Sequence, residues 1–90
     1  MAQMYDVEVT LESITKNKCP RGYKAGDTWL VKAGNTPEKE MCASAYNSIA
    51  PAIRVLSMGG NHPWDSEEGS TLAMCPDSNV GLVFKIRRLT

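Results

Sequence analysis

The sequence predicts an α+β domain in which a small, mostly antiparallel sheet or open barrel carries one kinked helix, in the order β-β-α-β-β. Three observations lead to this prediction. A segment near the N-terminus alternates between apolar and polar residues, a stripe in the middle of the chain has helical spacing, and two short apolar runs separated by turn residues close the sequence. The chain has 90 residues, which we assign to a single domain, 1–90.

The first two strands are predicted in the N-terminal third of the chain. Across residues 4–12, apolar side chains point one way and charged or hydroxyl side chains the other, which is the period of a half-buried strand. A turn containing proline and glycine follows, and Asp27 is expected to cap it. The run TWLV then predicts a short second strand, because its residue types favour extended backbone.

The helix is predicted to start at Thr36, with a proline in its first helical position. Apolar residues then recur at steps of three and four and form one helical stripe. They are Cys42, Tyr46, Ile49, Ile53 and Leu56. Pro51 interrupts the stripe, so either the helix kinks there or a second helix begins near Ser48. Gly59 and Gly60 are expected to end the segment.

Two more strands are predicted after the loop GGNHPWDSEEGS. They are TLAMC and GLVFKIRRL, joined by the turn PDSNV. Lys85 and Arg87 share one face of the last strand, and we expect them to form a solvated edge that opposes aggregation. Within the loop, the chemical candidates are His62, Trp64 and Asp65. We expect the tryptophan to close one end of the core, and the two glycines to be able to offer N–H groups to an anion.

Charge and hydropathy exclude several classes of function. Ten basic and ten acidic residues cancel, so the chain lacks the basic excess typical of nucleic-acid binding. No apolar run reaches the length of a membrane span, and the N-terminal residues lack the apolar region of a signal peptide. We therefore expect a cytoplasmic protein with neither nucleic-acid nor membrane partners. Because its core is small, we also expect a homo-oligomer or a subunit of a larger enzyme.

The three cysteines carry the clearest chemistry in the sequence. Cys19 and Cys75 each precede a proline, which withholds a backbone donor and shapes the turn, as in the Cys-Pro ending of ferredoxin-type ligand runs. Cys42 falls near the predicted helix N-terminus, where the pKa of an accessible thiol is lowered. The three thiols could converge on one iron–sulfur cluster or zinc ion. The fourth position would then be open to His62, Asp77 or an external molecule.

Two other interpretations remain open at this point. The spacing contains no tight pair of cysteines of the kind found in structural zinc sites. The cysteines could instead pack in the core of a metal-free accessory module that oligomerises or docks on a larger enzyme. A third interpretation is a metal-free thiol enzyme, in which His62 or the helix terminus activates one cysteine. With a single histidine and no serine in a nucleophile elbow, no hydrolase triad is expected.

Four motifs, CPRGYKAGD, TPEKEMC, GGNHPW and MCPDSNVGLVFKIRRL, together resemble an uncharacterised family of small prokaryotic three-cysteine proteins of similar length. That family has the pattern C-P-x-G-x-K-x-G-D, a cysteine early in the helix, G-G-x-x-P-W, and C-P-D before a final strand. The chain departs from the pattern at Lys39 and Glu40, where a glycine is expected nearby, and this bears on the start of the helix. The resemblance implies that the three cysteines belong to one pattern, and it supplies no activity.

Overall fold

The structure, a computed structural model, describes residues 4–14, 22–33, 35–65, 67–74 and 81–89. Over these residues, one helix packs on a four-stranded antiparallel sheet that is not closed into a barrel. The strands are β1 (Val7–Ile14), β2 (Thr28–Val31), β3 (Ser70–Met74) and β4 (Leu82–Arg88), and the helix is α1 (Ala43–Ser57). The predicted α+β class and the order β-β-α-β-β are confirmed.

The sheet has the strand order β2-β1-β4-β3, so its first and last strands form the central pair. β1 pairs with β4 along its length, with Val9 opposite Ile86 and a register shift between Leu11 and Ser13. β2 and β3 form the two outer strands. The turn before β2 is capped as predicted, because the carboxylate of Asp27 accepts a hydrogen bond from the backbone N–H of Lys24 at 2.9 Å.

The central position of β4 overturns the prediction that Lys85 and Arg87 form a solvated edge. Both side chains lie on the sheet face away from α1 and pair with acidic residues. Arg87 contacts Glu8 at 3.0 Å, and Lys85 lies 3.9 Å from Glu67. The last strand is internal because β3 covers its outer side, a pairing that the sequence pattern does not reveal.

The core lies between α1 and one face of the sheet. Trp29, on β2, is 1% exposed and packs edge-on against Tyr23 and Phe84. Its indole N–H donates to the carbonyl of Glu40 at 3.0 Å, which satisfies the polar atom of a buried ring. The prediction that Trp64 closes the core is wrong, because its side chain is 74% exposed.

The helix begins at Ala43 rather than at the predicted Thr36. Pro37 forms an isolated bridge with Val31, and the N–H of Glu38 donates to the carbonyl of Leu30 at 2.9 Å. The segment after Thr36 therefore runs beside β2, because pairing with the sheet outweighs the local N-terminal signals of proline and acidic residues. The apolar stripe itself is confirmed, since Ile49, Ile53 and Leu56 are all buried.

One continuous helix passes through Pro51, so the alternative of a second helix near Ser48 is wrong. Pro51 has no N–H for the carbonyl of Asn47, but both residues are exposed and water can reach that carbonyl. No helix among the described residues combines the length and the apolar character that crossing a bilayer requires.

The predicted glycine end of α1 is confirmed. Gly60 N–H donates to the carbonyl of Val55 at 2.9 Å and Gly59 N–H to that of Leu56 at 3.1 Å, the two bonds of a Schellman motif. Gly59 adopts a φ of 84°, in the left-handed region. Because both N–H groups are used within the motif, the expectation that they could hold an anion is wrong.

Candidate functional site

Of the predicted ligands, Cys42 and His62 fall within the described residues, whereas Cys19, Cys75 and Asp77 lie outside them. Cys42 occupies the N-cap position of α1 and is half-buried against the core. Its backbone N–H donates to the hydroxyl of Tyr23 at 2.7 Å.

Met74, the last described residue before Cys75, contacts the N-terminal half of α1. The carbonyl of Met74 accepts a hydrogen bond from the hydroxyl of Ser48. Along the helix axis, Ser48 is about 9 Å from Cys42, at a rise of about 1.5 Å per residue. β3 thus ends beside α1 and runs toward the end of the helix that carries Cys42.

The described residues on both sides of Cys19 lie at this same end of the molecule. Before Cys19, the last residue of β1, Ile14, pairs with Leu82 of β4. The next residue of β4, Val83, pairs with Met74. After Cys19, Tyr23 bonds to the backbone of Cys42. The described residues that flank Cys19, and the one that precedes Cys75, therefore lie toward the end of the molecule that carries Cys42.

His62 belongs to a different part of the molecule. Its Nδ1 lies 3.0 Å from Asp65 Oδ2, and Asp65 Oδ1 accepts a hydrogen bond from Thr71 Oγ1 at 2.6 Å. Thr71 precedes Met74 by three residues, or about 10 Å of strand, in the direction away from Cys42. His62 therefore lies apart from Cys42, and we do not expect it to reach a centre that includes Cys42. The identity of a fourth ligand stays a prediction.

The described residues contain no group of three or more His, Cys, Asp or Glu side chains that could hold a metal ion. A cavity of about 300 Å³ borders the chain on both sides of Cys42, with Met41 and Ala43 in its walls together with Lys39 and Tyr46. The Cys42 side chain itself packs against the core.

The His62–Asp65 pair is fixed by hydrogen bonds and stacking. The Asp65 side chain is 3% exposed. Burial acts to raise the pKa of Asp65, but hydrogen bonds from Thr71 and His62 outweigh it and hold the pKa below its ordinary value of 3.8. An ionised Asp65 makes Nδ1 the proton-bearing nitrogen of His62. The imidazole ring also stacks on Trp64, with ring centroids 4.8 Å apart.

The feature that sequence reasoning missed is an apolar surface beside this pair. Trp64, Leu72 and Met74 are 74%, 59% and 52% exposed, respectively. Leu72 and Met74 alternate along β3 with Thr71 and Ala73, which face α1. The signal was present in the run TLAM, whose apolar residues cannot all reach one face of a strand.

Comparison with known proteins gives no match: no family model, curated protein or solved structure matches the chain. Membership of the three-cysteine family therefore stays a prediction based on the order of its motifs. The chemistry of the site rests on the contacts described above.

Proposed function

We propose that this protein binds one metal centre, an iron–sulfur cluster or a zinc ion, through the thiolates of Cys19, Cys42 and Cys75. The observation that carries the proposal is the shared location of the described residues around these cysteines. Tyr23 bonds to the backbone of Cys42, and Met74 bonds to the N-terminal half of α1. Each cysteine is within a few residues of one of these anchors.

A three-thiolate centre leaves one coordination position open, as catalytic metal sites do. Because His62 lies apart from Cys42, Asp77 or an external molecule is the remaining candidate for this position. Thiolates are soft ligands that select zinc and iron–sulfur clusters over hard ions such as magnesium. When bound, the centre would supply a Lewis acid or a sulfur acceptor at its open position.

The test is strictly anaerobic purification, followed by an absorption spectrum and by iron, sulfide and zinc analysis of the same sample. We expect either brown protein with iron and labile sulfide or colourless protein with zinc. Changing any one of the three cysteines to serine should abolish metal binding, whereas His62→Gln should retain it. Full metal stoichiometry in Cys75→Ser would contradict the proposal, as would metal-free wild-type protein.

A metal-free accessory module is the second candidate, and the exposed surface of Trp64, Leu72 and Met74 favours it. In this case the cysteines would only fill the core, as the packing of Cys42 allows. It predicts no bound metal and three thiols that react with a thiol reagent only after unfolding. The thiol-enzyme interpretation loses support for Cys42, because the only histidine of the chain is not beside it.

A further inference from the structure

A groove runs along the outer edge of β3. It has a volume of about 160 Å³ and is lined by Trp64, Asp65, Ser70, Thr71 and Leu72. Ser70 and Leu72 point to one face of the sheet and Thr71 to the other, so the groove lies over the edge of the strand rather than on either face. β4 occupies the opposite side of β3, which leaves the groove on the outer side.

The floor of the groove is backbone that can pair with another strand. The carbonyl of Gly69 accepts a hydrogen bond from Arg88 N–H at 2.7 Å, which sets the alternation of the β3–β4 ladder. In an antiparallel pair, every second residue of a strand forms hydrogen bonds with the partner strand. Because Gly69 bonds to β4, Thr71 does so as well, and the backbone N–H and C=O of Leu72 point to the outer side of β3. An outward-facing strand edge is a template for an added strand.

The wall of the groove is an exposed but well-anchored tryptophan. Trp64 stacks on His62, which is tied through Asp65 to Thr71 of the same strand. Asn61 Oδ1 accepts a hydrogen bond from Gly69 N–H at 2.7 Å and so fixes the start of the loop. A side chain held in this way loses little conformational freedom on binding, and tryptophan is among the commonest residues at the centre of interfaces.

Charge indicates the kind of partner. Residues 61–74 contain three acidic residues, Asp65, Glu67 and Glu68, and no lysine or arginine. Asp65 forms hydrogen bonds with His62 and Thr71. Glu67 lies 3.9 Å from Lys85, and the side chains of Glu67 and Lys85 are both substantially exposed. The exposed carboxylates of Glu67 and Glu68, which lie just before β3, complement a basic segment, and an exposed tryptophan face can also accept a cation.

Size favours a short peptide over a second copy of this chain. A stable dimer buries about 800 Å² on each partner. A whole aromatic side chain buries roughly 150–250 Å², so three partly exposed side chains supply well below that area. The outer edge of β3 is also short, because Ser70 N–H already donates to Glu67 and the Met74 carbonyl accepts from Ser48.

We propose that this groove binds an extended peptide segment of a partner protein in which basic and apolar residues alternate. The peptide backbone pairs with Leu72 and adds a fifth strand to the sheet. One apolar side chain lies between Trp64 and Leu72, and a lysine or arginine lies beside Glu67 and Glu68. The proposal is independent of the metal centre, which uses the other end of α1.

The test is selection of phage-displayed random linear peptides on the wild-type protein, followed by affinity measurement with a synthesised winner. We expect basic–apolar sequences whose affinity falls roughly 10- to 30-fold in Trp64→Ala and in Leu72→Ala. Amide NMR shifts should centre on β3. Met4→Ala is the matched control, since Met4 is an exposed apolar residue beside Val31 of β2, at the opposite edge of the sheet.

Three results would overturn the proposal: no enrichment on wild type relative to Trp64→Ala, enrichment of acidic peptides, or a wild-type dimer in sedimentation that Leu72→Ala dissociates. Both test substitutions alter exposed side chains, and circular dichroism should show the wild-type fold in each. Metal content measured on the same variants should equal that of wild type. Failure of peptide binding is thereby distinguished from failure of the metal proposal.

Discussion

Asp65 is the residue on which the geometry of the 61–65 loop depends. It is a buried carboxylate that accepts hydrogen bonds from Thr71, from the His62 ring and from the His62 backbone N–H at 3.0 Å. Buried carboxylates are stable only when such donors surround them. Because Trp64 stacks on His62, its position depends on the buried carboxylate of Asp65 that holds His62.

We expect Asp65→Asn to have a lower free energy of unfolding than the wild type at neutral pH. This difference, the stability deficit of the variant, should become smaller in acid. The pKa of Asp65 is lowered in the folded protein, so its contribution to stability is fully present above the ordinary value of 3.8 that the unfolded chain has, and is lost as pH falls through the lower folded value. Urea unfolding of both proteins between about pH 3 and pH 7 measures the difference. Thr71→Val, which removes one donor, should give a smaller deficit with the same pH trend. A deficit that grows in acid would contradict this account.

At the level of elements, α1 shows how pairing overrides a local signal. Thr36 and Pro37 have the residue types of a helix start, yet the chain pairs with β2 at this point. Helix-starting residues contribute about 1 kcal/mol, which hydrogen bonds and burial beside β2 can exceed. The C-terminal end meets no such competitor, and its glycine signal was correct.

Pro51→Ala should stabilise the protein by about 1–3 kcal/mol, because alanine restores the N–H for Asn47 and removes the ring from the helix interior. The melting temperature should rise by roughly 4–8 °C per kcal/mol in a domain of this size. Urea unfolding checks the value. The control Asn47→Ala, at an exposed position on the same turn, should change stability by only about 0.5 kcal/mol. Loss of stability in Pro51→Ala would mean that the proline ring contributes to packing.

At the scale of the whole molecule, the central strand pair joins the two ends of the described chain. Val7 of β1 lies opposite Arg88 of β4, so the sheet cannot close until nearly the entire sequence is present. α1 covers one face of this pair, and the other face carries paired charges such as Glu8 and Arg87. The most stable part of the fold is therefore expected in β1 and β4.

Native-state hydrogen exchange should show this hierarchy. The amides of Val9 and Ile86, hydrogen-bonded inside the sheet, should exchange only through global unfolding, whereas the outward amide of Leu72 should exchange orders of magnitude faster. NMR-detected exchange in deuterated buffer measures both classes in one sample. Protection of Leu72 equal to that of Val9 would show that the β3 edge is covered in solution.

Short-range patterns in the sequence determined the element types, the turn at Asp27, the buried stripe of α1 and its glycine end. Each depends on residues a few positions apart, whose preferences act before distant segments meet. The same patterns also identified His62, Trp64 and Asp65 as chemical candidates. Only the tertiary structure brings Thr71 of β3 to Asp65.

Only the tertiary structure decided the strand order, the start of α1, which tryptophan is buried, and the separation of His62 from Cys42. These features depend on which distant segments pair, and no local period or cap encodes that choice. Trp29 is buried because β2 joins β1 under the helix, while Trp64 is exposed because its loop is fastened to the outer strand. The sequence alone determined what each segment can form, and the energy of long-range pairing decided where each side chain lies.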